Sequence, residues 1–196
     1  NVLSIEPLMR NLDPLGPDWS WLHLILRCQI PLGEFEQAKA KSLELCRRAR
    51  EAGALAALSG MLHVAADTAF RLGDWDTADA AALEAIQVAG EVGQPAVVGW
   101  VLTIRARILA AQGRPDEGRA AARAALRIAE TGRIDAGFRF VYAALGFLEL
   151  GLDRTGAAIS ELERVERLVE GTGLEDPVIV PWEPDLVEAY ARQGRS

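Results

Sequence analysis

The chain has 196 residues, half of them hydrophobic and a quarter charged, which excludes a disordered polymer and leaves ample apolar material for a continuous core. Its formal charge of −7, from 28 acidic and 21 basic residues, excludes a phosphate-binding surface spread over the segment, because nucleic-acid affinity rests on Lys and Arg neutralising phosphates. The longest uncharged run, Ala52–Ala66, carries Ser59 and His63 and falls short of a membrane span.

Residues 1–18 hold three prolines and no periodic pattern, so they read as an irregular lead-in with nothing resembling a signal peptide. From Trp19 onward, apolar residues recur with helical spacing between glycine marks. The more apolar segments, Trp19–Leu32, Ala54–Leu72, Ala96–Gln112, Asp135–Leu150 and Val178–Gln193, are predicted as the first helices of successive pairs. The segments Glu34–Ala52, Asp74–Val92, Pro115–Thr131 and Arg154–Glu170 are predicted as the second helices, each opening on an acidic residue or proline and closing near a glycine. No segment of strand length alternates with period two.

Two glycine series set the period. Gly33, Gly73, Gly113 and Gly151 recur at 40, 40 and 38 residues, and Gly53, Gly93, Gly132 and Gly171 at 40, 39 and 39. A self-similar period of this length is the signature of an all-α solenoid of antiparallel helix pairs. The repeats fall at about 19–53, 54–93, 94–132 and 133–173, with a half repeat at 177–196. Asn1 in place of Met, and an end at Gly194-Arg195-Ser196 where a loop should lead to a partner helix, read as a segment of a longer protein. Leu186, Val187 and Tyr190 of the unpartnered last helix are therefore expected to lie open to water.

The loops carry a resemblance. Leu32-Gly33-Glu34-Phe35-Glu36-Gln37-Ala38, Leu72-Gly73-Asp74-Trp75-Asp76-Thr77-Ala78 and Gln112-Gly113-Arg114-Pro115-Asp116-Glu117-Gly118 resemble the tetratricopeptide turn, with a glycine for the turn, an aromatic to staple the loop and a small residue where the helices close. The fourth unit departs, with Asp153 where the aromatic should stand, and the period exceeds the usual 34. With the closing Trp182-Glu183-Pro184-Asp185-Leu186-Val187-Glu188-Ala189-Tyr190 and Arg192-Gln193-Gly194-Arg195, these lengthened Ala-, Arg- and Glu-rich repeats resemble the repeat region of large ATP-binding LuxR-type (MalT-like) transcriptional regulators of actinobacteria. The resemblance implies a right-handed superhelix and a signal- or partner-receiving role. The flanking ATPase and helix-turn-helix of that family have no counterpart here, since neither a G-x-x-x-x-G-K-[ST] loop nor a basic reader helix occurs.

Enzyme chemistry finds little footing. His23 and His63 are the only histidines, there is no nucleophile elbow or His-Glu-x-x-His run, and the acidic cluster Glu161, Glu163, Glu166 and Glu170 interleaves with Arg164 and Arg167 as a solvated helix face does. No catalytic residue, metal site or cofactor is assigned. Cys28 and Cys46, on the two helices of the first repeat, read as buried thiols rather than a disulfide framework, in keeping with a cytoplasmic protein.

Counting back from each loop glycine gives the inner face of the first helices. His23 and His63 both lie ten residues before theirs and are expected side by side; Thr103 and Val141 follow at that step. Six before stand Arg27, Asp67, Arg107, Leu145 and Glu188, and the aromatic positions are Trp100, Phe138 and Tyr142. The candidate binding residues are thus His23, Arg27, His63, Asp67, Trp100, Thr103, Arg107, Phe138, Tyr142 and Glu188. Apolar anchors with a few converging polar groups suit a protein, a peptide, a small amphipathic ligand or a second copy of the chain, with no direct nucleic-acid or membrane contact. The competing reading is that the aromatics pack between neighbouring helices and the charges pair along the array.

Overall fold

In a computed structural model of the protein, placement is described for residues 13, 15–16, 18–30, 32–170, 180 and 182–194. Among these the chain is all-helical and holds nine helices: α1 (Trp19–Gln29), α2 (Phe35–Ala52), α3 (Leu55–Arg71), α4 (Trp75–Glu91), α5 (Pro95–Ala111), α6 (Pro115–Gly132), α7 (Asp135–Gly151), α8 (Thr155–Val169) and α9 (Glu183–Arg192). Eight of the nine start within a residue of the expected position. The last one starts five residues late, because Trp182 takes the N-cap and Pro184 occupies the first turn, where its missing N–H costs nothing. Most of the lead-in and the 171–179 connection lie outside the described residues.

The chain divides after Val97 into two compact units. In the first, α3 packs against α1, α2 and α4 and is the most buried helix, with every residue from Ala57 to Ala69 covered. In the second, Ala106 and Leu109 of α5, Ala121, Ala122 and Ala125 of α6, and Val141 and Ala144 of α7 form one core cluster. A second cluster joins Ala143 and Leu150 of α7, Ala158, Ile159, Leu162 and Val165 of α8, and Leu186 and Ala189 of α9. Small residues let the pairs close: Ala38, Ala78 and Ala158 are fully buried, and a Cβ on Gly118 would lie 3.0 Å from the Ala106 carbonyl.

The backbone corrects the register of the fourth repeat. Left-handed residues occur at Gly33, Gly73, Gly113 and Asp153, and at Gly53, Gly93 and Arg133, each series stepping by 40, with Gly194 following 41 after Asp153. Gly132 and Gly151 are instead the last residues of α6 and α7. Positions counted from Gly151 consequently shift by two: the partner of Arg27, Asp67 and Arg107 is Phe147, not Leu145, and the residue following His23, His63 and Thr103 is Ala143, not Val141.

Two burial expectations also change. Cys28 is exposed, because among the described residues no helix precedes α1 to cover that side, whereas Cys46 is buried and desolvation pushes its thiol up to about 12. Leu186 is buried and Tyr190 half-buried, because α9 turns this side onto α7 and α8; Val187 alone of the three is open, at 67% exposure. No helix among the described residues is long and apolar enough to cross a membrane.

Candidate functional site

In the first unit, three of the expected residues meet. His23 and Arg27 sit four apart on α1, on one face, and His63 lies one period later on α3. Gly60, three residues before His63, allows the approach: a Cβ there would stand 2.6 Å from the Trp19 indole, so only glycine lets that ring lie against α3. The Nε2 of His23 is then 2.9 Å from the Nδ1 of His63, and Arg27 Nη1 is 3.1 Å from His63 Nε2.

Donor chemistry fixes the direction of this chain. A guanidinium only donates, so His63 Nε2 accepts; a neutral His63 therefore carries its proton on Nδ1 and donates to Nε2 of His23. Burial, then the Arg27 charge, holds His23 down to about 3, and the same two causes with His23 itself hold His63 well below its ordinary range. Both rings are neutral at physiological pH. They form a buried polar ladder locking α1 to α3. Asp67, also expected on this face, is buried and accepts from Arg71 Nε at 3.0 Å.

In the second unit the expected residues separate into different environments. Thr103 turns its hydroxyl onto the Trp100 carbonyl at 2.7 Å, so its oxygen serves its own helix; Trp100 is half-buried. Phe138 and Tyr142 stack with centroids 6.4 Å apart, Arg164 lies 5.1 Å above the Tyr142 ring, and Tyr142 packs onto the α8–α9 cluster. Arg107 stands 4.9 Å over the Phe147 ring. Glu188 is exposed and paired with Arg192.

Phe147 and Asp185 extend this set. Asp185 on α9 is half-buried; desolvation raises its carboxyl, opposed by the Arg107 charge. Arg107, Phe147 and Asp185 thus belong to three successive first helices, α5, α7 and α9, and combine a cation, a ring face and a carboxyl. The signal for Phe147 was present in the sequence but lay two residues from where Gly151 pointed. A further polar centre, missed by counting glycines, is Glu149: it is 9% exposed, receives Arg119 Nε at 2.8 Å and faces Arg154 at 3.6 Å.

Among the described residues no group of three His, Cys, Asp or Glu side chains converges as a metal site would require. No protein-family profile matches the chain, and no curated protein is significantly similar to it.

Proposed function

We propose that the chain is a non-enzymatic binding module, a tetratricopeptide-like region whose helix pairs wind as a right-handed superhelix and receive a ligand or partner on the inner faces of the first helices. The observation that carries this reading is the 40-residue step of left-handed turn residues from Gly33 to Asp153 and from Gly53 to Arg133, which supports a like closure for successive pairs and an equivalent face on successive first helices. Within the second unit, Arg107, Phe147 and Asp185 supply such a face with an apolar platform and charges of both signs, a combination suited to a peptide or an amphipathic small molecule. The loop motifs favour placing this module in a cytoplasmic LuxR-type regulator, where occupancy would shift the population of the regulator's states. A protein-binding scaffold unconnected with transcription is the second reading, which the same ring face and charges of both signs would serve.

The test is transcriptional. In the source cell, the double change Arg107→Ala with Asp185→Asn, made in the intact gene, is expected to alter a defined set of transcripts while the protein stays folded and abundant. An unchanged transcript profile together with loss of a co-purifying protein would favour the scaffold.

A further inference from the structure

Asp185 departs from its own repeat position. Nine residues before the left-handed residues Gly33, Gly73, Gly113, Asp153 and Gly194 stand Leu24, Val64, Ile104, Ala144 and Asp185, four apolar side chains and one carboxyl. Val64, Ile104 and Ala144 are buried, at most 8% exposed. Asp185 is half-buried, and among the described residues its Oδ2 is covered from water and accepts no hydrogen bond. Drawing a carboxyl out of water without a donor is unfavourable, and burial pushes its basicity up accordingly, with Arg107 opposing the effect and Glu188 adding to it. An apolar residue would serve the fold better here, and a side chain that breaks the local rule against its own burial is the mark of a site kept for a ligand.

The neighbours of Asp185 set the chemistry it would accept. Arg107 and Glu188 act on it through their charges, and Glu188 is engaged by Arg192. Arg107 also stands 4.9 Å over the Phe147 ring, so one guanidinium links the carboxyl to an aromatic surface. A carboxylate only accepts, so whatever completes it must donate, and a cationic N–H is the strongest donor for a desolvated acid. An anionic ligand would meet Asp185 and Glu188 with like charge. A purely apolar one would leave the Asp185 oxygen covered and unbonded.

We propose that this site in the second unit takes a ligand carrying a protonated amine on an apolar body, the amine donating to Asp185 and the body lying beside the Arg107–Phe147 stack. The assignment rests on the binding-module reading above and narrows it to one ligand chemistry. Asp185 is half-buried as a whole, so a ligand can reach the group, and the broad two-fold torsion of an aspartate side chain lets either oxygen turn to the donor.

Tryptamine and indole-3-propionate, which share a ring system and carry opposite charges, are titrated separately into the full chain and followed by backbone amide shifts. Tryptamine is expected to shift amides around Arg107, Phe147 and Asp185, binding at least about tenfold more tightly than indole-3-propionate. Because a chain of charge −7 attracts any cation weakly, the deciding comparison is with two variants. Asp185→Asn keeps the shape, and Asp185→Leu restores the apolar residue of the other repeats. Both should lose the preference for tryptamine, and Asp185→Leu should melt no lower than the parent chain. A preference that survives in Asp185→Asn overturns the proposal, and a lower melting temperature of Asp185→Leu beside it would make the carboxyl a partner of the α9 N-terminus instead. Equal binding of the two probes at these amides overturns the amine assignment while supporting the binding-module reading. No shift from either probe overturns the proposal and removes this site's support for that reading.

Discussion

His23 and His63, one 40-residue period apart in sequence, are joined ring to ring by a 2.9 Å hydrogen bond in the interior of the first unit. The chain from Arg27 through His63 to His23 needs both rings neutral, because protonating His63 removes the acceptor for Arg27, protonating His23 removes the acceptor for His63, and either sets a positive ring near Arg27. Two identical side chains with a single acceptor direction make this contact sensitive to acid.

The folded-state basicity of both rings lies below the unfolded value of about 6.5, so their contribution is complete above that pH and is lost as pH falls below it, for His23 toward about 3. Between pH 7.5 and 5.5 the two rings together should cost about 1–3 kcal/mol. Urea midpoints at the two pH values check it. The pair substitution His23→Phe with His63→Leu should flatten the difference, and a midpoint equally pH-dependent in that variant would overturn the assignment.

The corrected register makes a sharp demand at Gly146, which occupies the place of Ala66 and Ala106 and would put a Cβ 2.4 Å from buried Leu162. Gly146→Ala should overpack the α7–α8 contact and cost about 1–3 kcal/mol, as should Ala78→Leu at the fully buried closure of α3 on α4. Gly156, the position indicated by counting from Gly151, is exposed and should accept alanine without loss. Thermal melts of the three variants separate the two registers.

Arg133 holds φ 51° at a step where Gly53 and Gly93 stand in the earlier pairs. A side chain in the left-handed region costs about 1 kcal/mol, so Arg133→Gly should raise the melting temperature although it removes a side chain and adds no contact. Denaturant unfolding of the single variant measures the gain; a loss would mean that the Arg133 side chain contributes more than its backbone costs.

Glu149 is the anion for Arg119, whose side chain is only 18% exposed. Glu149→Ala would leave that half-buried guanidinium with the exposed, more distant Asp116 among its described partners and should cost about 1–2 kcal/mol, whereas Arg154→Ala, at the exposed partner, should cost under about 1 kcal/mol. Equal losses in the two variants would show that the buried pair carries no special weight.

Most helix limits were legible because Gly, Pro and acidic first turns act locally, and most of these marks sit within two residues of a helix end. The fourth repeat was misread for an equally local reason: Gly151 on the last turn of α7 looks like a turn glycine, while the true left-handed residue, Asp153, is one of the few side chains that tolerate that conformation. The forty-residue spacing of His23 and His63 foretold their meeting. Their burial was not legible, since it depends on Trp19 lying over Gly60, a contact between residues 41 apart that no local pattern encodes. Cys28 illustrates the same limit, because its position in the repeat is a buried one in α3 and α7 and only its neighbours decide its exposure.

Within each unit the packed helix pairs are one or two places apart along the chain, as with α1 on α3 or α9 on α7. The longest loop that must close to form such a contact is therefore about one repeat, and its entropic cost is met early rather than by a distant pairing. Folding should accordingly be rapid, with a rate set by nucleation within one helix pair and growth to either side. Amide exchange should follow the same order, slowest along α3, which neighbours enclose, and fastest at α1, whose outer turns lack a second layer.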